Sequence, residues 1–483
     1  MIGIIARAQI VFEWVLVYYF FILNTVYIGL SLIAYREVYR HLRRTTYGGY
    51  EHVSRSPLTP PISVIVPAFN EEVSIALTVL NLLHLDYMRY EIIVVNDGST
   101  DETMARLIKA FELEPTKDDV DDQLKTKPLR ALYKSRRHHN LLVIDKENGG
   151  KSDSLNAGLN KATHPYFCSV DADVIMEADA LQRVILPVLE SEERVIAVGG
   201  IVRVSNGCHQ AKGRITDVSL GSNPLAIFQI IEYFRAFLCG RTGYSRLNAL
   251  LIISGAFGLF ERELVMTIGG YKTDTVGEDM DLVTRLHVYM RESDQEDHTD
   301  HRDYAISFVP DPVCWTEAPA SFKVLSRQRR RWQKGLMEVL WQHTGMFFNP
   351  KYGFIGFFTY PFLLLFEGWG VILEFLGYVF FAMAWWRGAI ETDFAIAFMF
   401  VAFFAGAVLS LIGVLLGEMT PRPYPKASQW IGLTLFAFLE NFGYRQYTSV
   451  LRLLGLFDWI FNAGSWGRME REGIEADKHM AEV

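Results

Sequence analysis

Two hydrophobic patterns divide this chain. Near the start, and again past residue 350, apolar residues run almost unbroken over lengths suited to a bilayer. Between them, short apolar runs alternate with polar, helix-compatible stretches. Residues 14–34 are apolar but for Asn24. A helix needs about 20 such residues to cross a hydrocarbon core, so 9–35 is expected as a first transmembrane helix. A cleaved signal peptide fits worse: the stretch is too long, no small-x-small site follows, and the positive cluster lies after it. That cluster is Arg36, Arg40, Arg43 and Arg44. By the positive-inside rule it puts this end of the helix in the cytoplasm and the N-terminus outside. Residues 36–60, with Pro57 and Pro60, read as a cytoplasmic linker.

In the middle, residues 63–67, 91–96, 141–145 and 166–170 are buried-strand runs, each followed by helical or loop sequence. That alternation predicts an α/β domain over 61–320 with a mostly parallel sheet. Ligands of such sheets bind at the carboxyl ends of strands, and here those ends lie near Asn70, Asp97, Asp145 and Asp171. Two charged stretches, 112–140 and 292–303, read as insertions; His298 and His301 admit a metal site in the second, but they lack helical ligand spacing and a solvated loop fits better. Residues 321–350 are expected to be interfacial helices. Residues 351–386 then hold an interfacial approach and a second span, and 393–417 a third, with Arg387, Glu391 and Asp393 making the polar break. The apolar run inside 428–483 is short, which predicts an interfacial or re-entrant segment before a cytoplasmic tail.

Composition narrows the classes. Half the residues are hydrophobic, and a net charge of −8 argues against a nucleic-acid partner. Cys168, Cys208, Cys239 and Cys314 show no Cys-x-x-Cys spacing, so free thiols are expected, not a zinc site or disulfide frame.

Several motifs carry chemistry. Asp171-Ala-Asp173 follows a strand run; two carboxylates at i and i+2 suit a hard divalent cation shared with a diphosphate, and equally a solvated turn that caps the next helix. Asp97-Gly-Ser-Thr-Asp101 reads as a tight turn into a helix. Asn148-Gly-Gly-Lys151 is a glycine turn whose N–H groups and lysine suit a nucleotide or phosphate. Gly277-Glu278-Asp279 offers acids in the first turn of a helix, where its dipole favours them. Gln328-Arg-Arg-Arg331-Trp332 admits two readings: a basic membrane-surface helix with a Trp anchor, or a site for phosphate.

The spacing of Gln328, Arg331 and Trp332 resembles the Gln-x-x-Arg-Trp signature of processive family 2 glycosyltransferases: the cellulose, chitin, hyaluronan and poly-N-acetylglucosamine synthases. The resemblance extends over 61–332 with motifs in the family's order. It implies a GT-A fold and Mg2+ or Mn2+ at Asp171 and Asp173, bridging a nucleoside diphosphate. It implies a donor pocket from Pro67, Asn70, Glu71, Asp97, Lys151, Asp171, Gln328 and Arg331, with Asp97 accepting from uracil. Trp332, Ser254 and Gly255 would meet the acceptor. The family most often has Thr-Glu-Asp where this chain has Gly277-Glu278-Asp279; the acids are kept. An inverting transfer needs a carboxylate base for the acceptor hydroxyl, and Asp279 is assigned that role with Glu278 supporting. Ser465-Trp466-Gly467-Arg468 is similar to a Trp-Gly-Thr-Arg lid loop, so Trp466 and Arg468 join the donor set, although a surface Trp is as good a reading.

The function expected is an inverting transferase at the cell (inner) membrane, multi-pass with its catalytic domain cytoplasmic. It would move a sugar from a UDP-sugar, of UDP-GlcNAc or UDP-Glc type, onto a growing β-linked polysaccharide. Single transfer to a lipid carrier is the alternative, and an inactive nucleotide- or glycan-binding scaffold a third. The partners implied are the donor, a glycan or lipid-linked acceptor and membrane lipid. The sequence names no protein partner.

Overall fold

The computed structural model describes residues 2–48, 53, 56–117, 122–211, 213–293, 304–388, 390–421 and 424–461. At its centre are four parallel strands: β1 (Ile62–Ala68), β2 (Tyr90–Asn96), β5 (Leu141–Lys146) and β6 (Tyr166–Val170). Ile62, Val64, Ile65, Val66 and Ile92 to Val95 are fully buried, because helices cover both faces of the sheet. Each such side chain is worth roughly 1.5–3 kcal/mol of burial.

The sheet is wider than the apolar runs predict. β3 (Leu113–Thr116) and β4 (Leu129–Ser135) add an antiparallel edge beside β5. They lie inside the charged stretch 112–140, read from sequence as an insertion with no strand expected in it. Their outward faces carry Glu114, Arg130 and Lys134, and that surface charge hid the strands. On the other side stand β11 (Phe257–Glu261), β8 (Arg194–Val204), β12 (Tyr304–Thr316) and β7 (Ile175–Met176), in the order β3-β4-β5-β2-β1-β6-β11-β8-β12-β7. β9 (His209–Ala211) and β10 (Arg214–Asp217) form a separate hairpin.

Three helices are long and apolar enough to cross a membrane: Gln9–Thr45, Ile355–Trp386 and Thr392–Met419. Ala427–Leu439, at 13 residues, is too short. The first helix differs from expectation. It does not stop at 35 but runs unbroken over Ile2–Gly48, so the segment expected as linker begins as helix. The reason is packing: Ala34 and Val38 are fully buried, and His41 Nε2 lies 2.7 Å from buried Asp311 on β12. Within 428–483 a helix, Tyr444–Ile460, lies along the helix Phe322–Gln342. A Cβ on Gly455 would come 2.6 Å from the Arg330 carbonyl oxygen, so the two backbones nearly touch. The stretch 294–303, with His298 and His301, lies outside the described residues.

Candidate active site

The carboxyl ends of β1, β2, β5 and β6 open onto a cleft of about 2020 Å3, which continues between the apolar helices past Tyr27 and Glu374. β2 delivers Asp97, a buried residue, to the wall of this cleft. Asp97 Oδ1 accepts from Lys146 Nζ at 2.7 Å and the Gly149 N–H at 2.9 Å. Oδ2 accepts from the Gly150 N–H at 2.8 Å and the Asn148 amide at 3.1 Å. A carboxylate has about four acceptor sites, so this one is filled. Two expectations change together. Asp97 has no acceptor to spare for uracil, and the N–H groups of Gly149 and Gly150 are spent on Asp97 instead of a phosphate. Asp97 builds the turn. Gly98 permits it, with φ of +66° and space so tight that a Cβ would meet the Asn148 nitrogen at 2.8 Å.

The neighbouring rim comes from the end of β1. Asn70, at φ of 54°, accepts from the Thr100 N–H at 2.8 Å and donates its own N–H to Ser99 at 2.9 Å. The Glu71 N–H donates to Thr103 at 2.9 Å. With Pro67 these residues line the cleft and lock the two strand-end turns together.

Deeper in, charges concentrate around Lys151, at the start of the helix Lys151–Lys161. Its Nζ lies 2.6 Å from Asp171 Oδ1 and 3.6 Å from Glu278 Oε1, and donates to the Gly255 carbonyl at 2.9 Å. Burial works against this ammonium, but Asp171 and then Glu278 outweigh it and hold it protonated above its ordinary range. Lys151 therefore serves first as the counter-ion of the acids, not as a free phosphate ligand. Asp171 and half-buried Asp173 sit on the turn after β6, both facing the cleft. Asp279 accepts from the Gly255 N–H at 2.9 Å and from the Met280 N–H at 2.8 Å. The Ser254–Gly255 segment is thus wedged between Lys151 and Asp279. Burial pushes the Glu278 carboxyl up; Lys151 opposes this and Asp279 adds to it. Asp281, a residue of the same type two positions on, is fully buried on Arg285 at 2.7 Å and His343 at 3.0 Å, and takes no part in the cleft.

The three arginines part company. Ser321 caps their helix. Arg329 forms a bidentate pair with Glu232, at 2.9 and 2.8 Å, and lies 4.3 Å from the Trp332 ring centre. Arg330 pairs with Asp458 at 2.7 and 2.6 Å. Arg331 is exposed into the cleft and has no hydrogen bond or ion pair among the described residues. Gln328, at i−3, and Trp332 line the same cleft, and the buried Gln328 Oε1 has no hydrogen-bond partner. One contact sets how near this helix comes to the acids. A Cβ on Gly277 would stand 2.9 Å from the Gly335 carbonyl oxygen. Glycine therefore replaces the family's usual threonine where the backbones meet.

Trp466 and Arg468 lie outside the described residues. The sequence reading missed Lys146 and Glu232, the buried partner of Asp97 and the half-buried partner of Arg329. Glu232 is a lone acid in an apolar run, whereas Lys146 stands between Asp145 and Glu147, where nothing in the sequence singles it out.

The chain is similar to known proteins. Residues 63–269 match the family described as Glycosyl transferase family 2, and residues 226–415 match Glycosyl transferase family group 2. Poly-beta-1,6-N-acetyl-D-glucosamine synthase of Staphylococcus aureus (strain COL) is 29% identical over 280 residues, 58% of this chain and 55% of that protein. The protein of the same name from Staphylococcus epidermidis is 28% identical over the same shares. The chain thus spans about half the length of the curated relatives it matches. Among solved structures, mannosyltransferase PcManGT from Pyrobaculum calidifontis, in complex with GDP-Man and Mn2+, aligns with 93% of this chain and 100% of its own. Its TM-score is 0.52 at 18% identity, a likeness of fold. A GT-A sheet with strand-end carboxylates, flanked by membrane-length helices and matched by family models from 63 to 415, places this chain among the family 2 glycosyltransferases.

Proposed function

We propose that this chain moves a sugar from a UDP-sugar, with inversion, onto a β-linked glycan growing at the membrane. The observation that carries this reading is one cleft holding Asp171 and Asp173, the exposed Arg331, and Asp279 fixed against Gly255. N-acetylglucosamine is the favoured sugar, because the curated relatives carry that name. The donor set fits a hard cation: two carboxylates on one turn, and no group of three metal-binding side chains among the described residues, so diphosphate oxygens would complete the shell. Mg2+ or Mn2+, when bound at Asp171 and Asp173, would neutralise charge on the leaving diphosphate.

The chain's own residues do the rest. Arg331 pairs with the diphosphate, which is charged before and during transfer. Asp279 removes the proton from the attacking acceptor hydroxyl as the bond between sugar and phosphate breaks, releasing UDP. Its two backbone N–H bonds hold the carboxylate in place, and Glu278 with Lys151 sets the surrounding charge. Trp332 offers a face for the acceptor sugar. Pro67, Asn70 and Glu71 form the nucleoside rim. The three apolar helices cross the inner membrane, with the sheet domain on the cytoplasmic side marked by Arg36, Arg40, Arg43 and Arg44.

A second reading, single transfer to a lipid carrier, is favoured by Leu23 and Tyr27 of the first long helix, which line the same cleft. Purified protein screened with UDP-sugars for UDP release, followed by sizing of the product, tests both. No release with any donor overturns the reading as an enzyme. A product of one added sugar selects the second.

A further inference from the structure

The cleft continues past the acids into the helical layer, where arginines line it. Most are neutralised. Arg445 pairs with Glu440 at 2.8 Å, and Arg235 with the same carboxylate. Arg452 pairs with Glu367 at 2.8 Å and Glu374 at 3.5 Å. Arg329 has Glu232, as above. Besides Arg331, Arg241 is the exception: among the described residues it makes no hydrogen bond or ion pair, and its Nε is buried without a partner. Its guanidinium rests 4.2 Å from the centre of the Phe237 ring, which stacks with it but accepts no N–H bond in the plane of the fork.

Arg241 is half-buried, and a cation whose Nε is buried without an acceptor is costly. Burial lowers the affinity of Arg241 for its proton, to about 10 after Asp279 and Tyr233 have opposed it. The helix around it departs from α geometry: Arg235–Arg241 is a π turn, a distortion that is frequent at functional sites. Two residues on, Gly243 meets the first long helix so closely that a Cβ would stand 2.8 Å from the Leu30 carbonyl oxygen. Tyr27, one turn earlier on that helix, lines the cleft. Arg241 thus lies where the catalytic cleft meets the membrane helices, and Asp279 is the acid whose charge it feels. Asp171 and Glu278 belong to Lys151.

We infer that Arg241 is a second phosphate-binding residue of this cleft, separate from Arg331. The planar fork suits a phosphate bidentately. The inference rests on the proposed transfer at the membrane and adds to it the chemistry of a second anion. That phosphate has two possible sources: a prenyl-type lipid reaching the cleft along the first long helix, or the donor's diphosphate.

The test measures binding to the full chain in detergent, beside UDP release, with three probes: farnesyl phosphate, farnesol, and UDP with Mn2+. In the parent, farnesyl phosphate should bind about 10- to 100-fold tighter than farnesol, as expected for a charged hydrogen-bonded pair. Arg241→Gln should erase that preference while leaving UDP affinity unchanged, which assigns the lipid-borne source. Loss of UDP affinity in Arg241→Gln assigns the donor instead and still supports a phosphate site. Arg241→Lys, which keeps the charge and loses the fork, should fall between. Parental behaviour toward all three probes in Arg241→Gln overturns the inference. If Arg241→Gln fails to fold, no preference for farnesyl phosphate in the parent together with parental UDP binding in Arg241→Lys overturns it too. Parental behaviour toward all three probes in Arg241→Gln, beside normal UDP release by the parent, sinks this inference alone and leaves the proposed reaction standing. A parent that releases no UDP would sink the proposed reaction and leave the binding comparison standing.

Discussion

Replacing Gly277 by alanine adds one methyl group at the narrowest point between the acid-bearing helix and the arginine helix. That carbon would stand 2.9 Å from the Gly335 carbonyl oxygen, 3.1 Å from its carbonyl carbon and 3.1 Å from Val339 Cγ2. Relaxed carbon contacts lie near 3.5–4.0 Å, so the helices must part by about half an ångström or more. Two of the three atoms are backbone and cannot swing aside. Overpacking of this kind costs about 1–3 kcal/mol. The larger effect is on geometry, because Glu278 and Asp279 begin one helix and Arg331 projects from the other. A misplacement near 1 Å between catalytic groups can cost about 100-fold in rate. Gly277→Ala should therefore lower turnover at least about 10-fold and lower the unfolding temperature, with Gly277→Thr worse on both. Gly345→Ala is the matched control, since a Cβ there meets nothing within 4 Å. UDP release at saturating donor, beside thermal unfolding in the same detergent, reads out the pair. Parental rate and stability in Gly277→Ala would refute the claim that this contact sets the spacing.

Asp279→Asn should bind UDP like the parent yet lose about 100- to 10,000-fold in turnover, whereas Arg331→Ala should weaken both; isothermal titration with UDP and Mn2+ beside an activity assay separates them. Near-parental turnover in Asp279→Asn would move the base to Glu278, because Asp281 is enclosed by Arg285 and His343. Excess chelator should abolish transfer, and Asp173→Asn should lose most of it; full activity without divalent cation would remove the metal from the reaction. Asp97→Asn should lose about 1–3 kcal/mol of stability in thermal unfolding, since among the described residues Lys146 then keeps only Asp153, at 2.6 Å, as a charged partner. An impermeant thiol reagent on intact cells should label a cysteine placed at Arg387 and spare one at Leu58, both exposed positions; the reverse pattern would invert the topology.

Much of this arrangement is legible in the sequence because it rests on local pattern. The four central strands are continuous apolar runs, and the long helices are longer ones. The pairing of Asp171 with Asp173, and of Gln328 with Arg331, survives because each lies within one turn or one helix. What escaped depends on partners distant in the chain. Arg329 and Arg330 look identical to Arg331 until Glu232 and Asp458 are placed beside them. Asp97 looks like an open acceptor until Lys146 and the glycine turn close on it. β3 and β4 escaped for another reason: half-exposed strands carry the charges that usually mark loops. The first helix was cut short at its arginines, which are solvent-facing on one side while Val38 is buried on the other.

That uncut helix has a mechanical meaning. It spans Ile2–Gly48, about 70 Å at 1.5 Å per residue, and a bilayer crossed as proposed would take only about 30 Å of it. The remainder is a rigid mast whose rotational phase is read by the sheet domain through His41 and Asp311. Length and phase are coupled in such a part. Two residues inserted after Tyr35 would lift the mast by about 3 Å but turn His41 by about 200°, away from β12. Seven would lift it by about 10 Å and return His41 within about 20° of its original bearing. On the proposed topology, the cleft would thus be clocked against the membrane as well as spaced from it.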